Sequence, residues 1–100
     1  MASDKIVITE KEFEAQVKEL AVKYFGWRFY HPYLSIRSVR GFPDITLLRP
    51  PRLIFAELKT DKGKLSVHQA QWLWELRKVL GIEVYIWRPR QTEHIVEVLR

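Results

Sequence analysis

One hundred residues with 47 % apolar and 29 % charged side chains suit a single globular domain spanning 1–100, with residues 1–8 as a lead-in. The absence of cysteine excludes disulfides and thiolate zinc sites. No apolar run nears the roughly 18 residues of a membrane span and no signal-peptide pattern opens the chain, so a cytoplasmic location is expected. Seventeen Lys and Arg against twelve Asp and Glu give a net charge of +5 and a pI near 9.7, a balance that favours a polyanionic partner.

Thr9-Glu-Lys-Glu12 is a capping-box pattern and predicts a helix from there to about Phe25, stopped by Gly26. Its apolar stripe is Phe13, Val17, Leu20, Ala21 and Tyr24. Glu10 and Glu14 extend that stripe towards the N-terminus, whereas Glu12 and Glu19 face away. A first strand is expected over Trp27 to Tyr30, ended by His31-Pro32. From Tyr33 to Arg40 the chain is a polar loop carrying Arg37 and Arg40, charges suited to a phosphate backbone or simply to solvent.

Gly41 to Lys59, GFPDITLLRPPRLIFAELK, organises the rest. It reads as two strands, Asp44 to Leu48 and Leu53 to Lys59, joined by a proline-broken turn. Side chains alternate faces along a strand, so Glu57 and Lys59 share one face with Leu53 and Phe55, and Ile54, Ala56 and Leu58 take the other. A strand apolar on both faces is buried. A carboxylate and an amine within it cost several kcal/mol in lost hydration unless something compensates. A divalent cation would compensate the carboxylates, and a phosphate the lysine.

Thr60 to Lys64 form a flexible basic connection that includes Lys62 and Lys64. A second helix is predicted from about Leu65 to Leu80, with Ser66 as a possible cap and Gly81 as its stop. Its inward stripe is Leu65, Gln69, Trp72, Leu73, Leu76 and Leu80, with Gln69 the polar member. Trp74 and Val67 lie off the stripe, an apolar patch that predicts a homodimer. Val84 to Trp87 read as a strand ended by Arg88-Pro89, and Ile95 to Leu99 as a short strand or a half-turn. The element order α-β-β-β-α-β predicts an α/β fold, a mixed central sheet flanked by helices.

Gly-Phe-Pro-Asp44, Glu57-Leu58-Lys59, the Leu65-Ser66-x-x-Gln69 helix start and Tyr85-Ile86-Trp87-Arg88-Pro89 together resemble the VRR-NUC (virus-type replication-repair nuclease) domain of the PD-(D/E)xK superfamily. The resemblance runs from Thr9 to about Leu99; the stand-alone, minimal length resembles the phage-type members, whose fold is also similar to Holliday-junction resolvases. It implies a restriction-endonuclease-like core and Mg²⁺ or Mn²⁺ held by Asp44, Glu57 and the main-chain carbonyl of Leu58. It implies that Lys59 orients the attacking water and that Gln69 supports the lysine and the scissile phosphate. The helix-one glutamate falls on Glu10, with Glu14 one turn later as the alternative. Hard oxygen donors without thiolates suit those cations, and histidines at 31, 68 and 94 have no zinc-ligand spacing. There is no glycine-rich phosphate loop. The expected function is a metal-dependent DNA endonuclease acting on flap, branched or junction DNA, as in DNA repair. The competing expectation is a non-catalytic nucleic-acid-binding module using the same basic surface.

Overall fold

Thr9 opens the first helix as the sequence pattern requires. Its hydroxyl accepts from the Glu12 amide at 3.1 Å, and the Glu12 carboxylate accepts from the Thr9 amide at 2.9 Å. The computed structural model describes residues 7–32 and 39–100. Helix α1 spans Glu10–Lys18 and continues as a wider π-helical segment over Glu19–Tyr24. Gly26, at φ +73°, turns the chain out, and the Trp27 amide bonds back to the Ala21 carbonyl at 2.9 Å.

Four strands follow the expected order: β1 Arg28–Tyr30, β2 Ile45–Arg49, β3 Arg52–Leu58 and β4 Glu83–Trp87. They form one mixed sheet in the order β1-β2-β3-β4, antiparallel except for the parallel β3–β4 pair. Helix α2, Val67–Leu76, makes the crossover that a parallel pair demands. Its cap is Ser66, whose hydroxyl accepts from the Gln69 amide. The closing element is a helix, α3, over Thr92–Leu99, entered through a 3₁₀ turn at Pro89–Gln91. That corrects the expectation of a strand or half-turn at 95–99.

The core lies between the sheet and the pair α1 and α3. Phe13, Val17 and Ala21 of the first helix meet Ile45, Leu47, Ile54, Ala56 and Leu58 of the sheet, with Ile95 and Leu99 of α3. Each large apolar side chain so buried contributes about 1.5–3 kcal/mol. Trp27 and Arg49 close the end of α3: Trp27 Nε1 and Arg49 Nη1 both donate to the Leu99 carbonyl, at 2.9 and 3.0 Å. The opposite face of β3 carries Phe55, which meets the Phe42 ring edge-on at 5.9 Å, and Phe42 meets Trp72 of α2 at 5.1 Å.

Two stripe residues are exposed. Tyr24 is exposed because the π-helical segment turns less per residue than an α-helix and carries it off the stripe. Leu80 is 95 % exposed. Amide bonds from Lys78 to Glu75 and from Val79 to Leu76 tighten the chain after Leu76 and break the helical period before Leu80 is reached.

Candidate active site

The C-terminal end of β3 and the N-terminal end of β2 meet at the same end of the sheet. The β2–β3 register ends at Ile45 opposite Ala56, so the next position sets Asp44 beside Glu57. Asp44 Oδ2 accepts from the Leu58 amide at 2.8 Å, which pins it to β3. Glu57 is 1 % exposed and Lys59 9 %. Lys59 Nζ stands 3.8 Å from Glu57 Oε2, and Gln69 Nε2 donates to that same oxygen at 2.8 Å. The other oxygen, Glu57 Oε1, is buried without a hydrogen-bond partner. Burial, and after it the Asp44 carboxylate alongside, push the Glu57 carboxyl up to about 8 against the opposing pull of Lys59.

The first helix contributes Glu14. It is half-buried, 3.4 Å from His31 Nδ1, and its carboxyl is raised by burial, with the nearby Asp44 charge acting in the same direction. His31 Nδ1 lies 2.8 Å from the Asp44 carbonyl, which can only accept, so this nitrogen carries the proton. Glu10, the first choice from the sequence, is exposed at the start of α1; the carboxylate that faces Asp44 is the alternative, Glu14. One helical turn, about 5.4 Å, separates them.

Gln69 sits where predicted, but its side chain is bound to Glu57 and to the Ser66 amide, not to Lys59. For Leu58 the described contact to the site is its amide on Asp44; its carbonyl was the group expected to be a ligand. Arg40, Lys62 and Lys64 are exposed, and Arg37 lies outside the described residues. A cleft of about 650 Å³ opens beside Asp44 between His31–Pro32, Arg40 to Phe42 and the first turn of α2. On one side a close approach shapes it: a Cβ on Gly41, at φ +89°, would collide with the His68 backbone, so only glycine permits this approach. Trp72 Nε1 donates to the Arg40 carbonyl at 3.0 Å.

Sequence reasoning missed His31 and Arg88. Arg88 Nη1 donates to the Thr60 and Gly63 carbonyls, at 2.6 and 2.8 Å, and so holds the connection that follows Lys59. Its place after Tyr85-Ile86-Trp87 gave a signal without a role. For His31, position before Pro32 was read only as a strand end.

Two carboxylates in contact, one with an unpartnered buried oxygen, are a donor set that suits a hard divalent cation. Among the described residues no group of three or more His, Asp or Glu side chains converges in a ligating arrangement, so any further donors must be backbone or solvent. Comparison with family models, with curated proteins and with solved structures finds no match to this chain.

Proposed function

We propose that the protein is a metal-dependent DNA endonuclease of the VRR-NUC type, with a PD-(D/E)xK core. One observation carries the reading. Asp44, Glu57 and Lys59 meet at one end of the sheet, with Glu57 and Lys59 almost fully buried and Glu57 Oε1 unpartnered. A structural ion pair would satisfy both oxygens or lie at the surface, where it costs little. This arrangement instead crowds two acids beside one lysine, with the Glu57 carboxyl pushed up to about 8, which is a poor device for stability and a good one for polar chemistry.

Asp44 and Glu57 would hold Mg²⁺ or Mn²⁺, with the Leu58 carbonyl as a further donor. The cation, when bound, polarises the phosphate and lowers the pKa of water. Lys59 offsets the charge of the scissile phosphate and orients the attacking water. Gln69 fixes the Glu57 carboxylate by its 2.8 Å bond, so the acid cannot rotate away from Asp44. Glu14, reaching in from α1, adds negative potential next to Asp44 and strengthens the hold on a cation. The net charge of +5, with Arg40, Lys62 and Lys64 exposed, favours a DNA backbone.

The test is cleavage of single-stranded, duplex, flap and four-way-junction DNA with Mg²⁺ or Mn²⁺. Asp44→Asn is expected to abolish cutting while retaining the fold, because its amide oxygen can still accept from the Leu58 amide. Undiminished cutting by that variant, or in excess chelator, would remove the reading.

A further inference from the structure

We propose that Arg88 is a positioning residue: it clamps the turn at 60–63 so that Gly63 lies against the Lys59 stem and keeps the ammonium beside Glu57. This rests on the nuclease reading above, in which Lys59 orients the attacking water, and adds the group that places the lysine. Lys59 Nζ stands 3.8 Å from Glu57 Oε2, beyond hydrogen-bond reach. A contact that long does not fix the direction of a flexible four-carbon stem. At 9 % exposure, Lys59 is placed instead by what packs around it.

The turn folds back over that side chain. A Cβ on Gly63 would lie 3.4 Å from Lys59 Cδ and 3.1 Å from Thr60 Oγ1, so the glycine backbone sits close against the stem. The turn's own closure is weak. The Gly63 amide donates to the Thr60 carbonyl at 3.2 Å, the long end of the hydrogen-bond range, and Asp61 and Lys62 are exposed. Arg88 supplies the stronger hold. Its Nη1 donates to the Thr60 carbonyl at 2.6 Å and to the Gly63 carbonyl at 2.8 Å. Bonds from a charged donor are about twice as strong as neutral ones. Arg88 is itself fixed by Gln91: its amide donates to Gln91 Oε1 at 2.8 Å, and its carbonyl accepts from the Gln91 amide at 2.8 Å. The Lys59 amide donates to the Trp87 carbonyl at 3.0 Å, so lysine and arginine leave adjoining strands at neighbouring positions. The ends of β3 and β4 and the 3₁₀ turn thus form one frame around the Lys59 side chain.

The experiment uses the full chain in chelator. Its lysines are acetylated at trace levels with an N-hydroxysuccinimide ester and read one by one by mass spectrometry. In the wild type Lys59 should react at least ten-fold slower than Lys62 and Lys64, which are exposed on the same connection. Arg88→Met should raise the Lys59 rate at least five-fold and leave Lys62 and Lys64 within two-fold. Arg88→Lys, which retains a charged donor, should keep most of the protection. Gly63→Val, with Arg88 in place, should free Lys59 as well, because its side chain grows from a Cβ 3.4 Å from Lys59 Cδ. Cutting is followed separately with Mn²⁺, and Arg88→Met should lower kcat at least ten-fold with KM for DNA within two-fold. An unchanged Lys59 rate in both Arg88→Met and Gly63→Val would overturn the proposal and leave the nuclease reading in place. So would a raised KM at unchanged kcat, which would mean that Arg88 meets the DNA itself. Where Arg88→Met fails to fold by circular dichroism, Gly63→Val and Arg88→Lys decide. A freed Lys59 in a protein whose wild type cuts nothing would uphold the clamp and remove the nuclease. An unchanged Lys59 and no cutting would overturn both.

Discussion

Gln69 donates from Nε2 to Glu57 Oε2 over 2.8 Å while its Oε1 accepts from the Ser66 amide, also at 2.8 Å. One side chain thus closes the cap of α2 and restrains the buried acid. Gln69→Glu keeps the capping box, which accepts Glu as readily, but sets a third carboxyl against Glu57. In chelator at pH 8 it should cost about 1–3 kcal/mol, and near pH 5, where the carboxyls share protons, much less. Gln69→Ala should lose both bonds and destabilise at either pH. Urea denaturation at the two pH values separates the variants, and a pH-independent loss in Gln69→Glu would mean the contact with Glu57 does not form.

Glu57 also sets a pH dependence for the whole fold. Its carboxyl, ordinarily near 4.5, is pushed up to about 8 in the folded chain, first by burial and then by Asp44. Between those values the folded state holds a proton that the unfolded state has released. Stability therefore falls as pH rises through this window and levels off above it, by an amount on the order of several kcal/mol. Glu57→Gln should remove most of this slope, and Mn²⁺ should raise the wild-type melting temperature more at pH 8 than at pH 6. Denaturation of both proteins in chelator from pH 5 to pH 9 gives the comparison; parallel curves would mean Glu57 is ionised throughout.

Much of this arrangement was legible in the chain and some was not. Both helix starts are local patterns, the Thr9–Glu12 capping box and Ser66 as a possible cap, and both formed, though the box that Gln69 closes with Ser66 was not foreseen. The hairpin that joins Asp44 to Glu57 followed from strand alternation and two prolines. Helix α3 was hidden because Ile95, Val96 and Val98 are β-branched and read as strand. What holds it is distant in sequence: Trp27 and Arg49 on the Leu99 carbonyl. The pattern could not separate Glu10, the first choice, from Glu14, and for a different reason. Periodicity fixes the face of a helix but not its height along the sheet, and the height depends on how Phe13 and Val17 seat in the core.

That height makes a direct comparison possible. Glu14 faces Asp44 and His31, whereas Glu10 is exposed one turn away. Glu14→Gln should slow cleavage by at least ten-fold and weaken Mn²⁺ binding in calorimetry. Glu10→Gln should change either by less than about two-fold, since a surface charge near a helix start contributes only about 0.3–1 kcal/mol. The opposite ranking would return the helix-one role to Glu10.

His31 offers a test by shape. Its Nδ1 donates to the Asp44 carbonyl at 2.8 Å and lies 3.4 Å from Glu14 Oε1, so it ties β2 to α1 behind the carboxylates. An asparagine amide can place a donor where Nδ1 stands; a glutamine amide reaches further, towards Nε2. His31→Asn should accordingly keep Mn²⁺ affinity within about three-fold, and His31→Gln and His31→Ala should each lose about ten-fold, near 1.4 kcal/mol. Equal affinities in all three variants would leave His31 with no positioning role.

The final prediction concerns assembly. Trp74 is 65 % exposed and Val67 71 %, both on the face of α2 that the core leaves open. Lys78 Nζ lies 5.5 Å from the Trp74 ring and covers it only in part. A tryptophan buries about 150–250 Å² when covered, and a stable interface needs about 1,200 Å² or more in total. Trp74 would therefore be the anchor of a wider contact, self-complementary about a two-fold axis through α2. Such a dimer would present two sites to one DNA and give paired cuts in opposite strands. Light scattering at micromolar concentration should return about 24 kDa, two chains of 12.0 kDa. Trp74→Glu should shift it to one chain without lowering the melting temperature of the monomer. A wild-type mass of a single chain would end the proposal, and a dimer that survives Trp74→Glu would place its contact on another face.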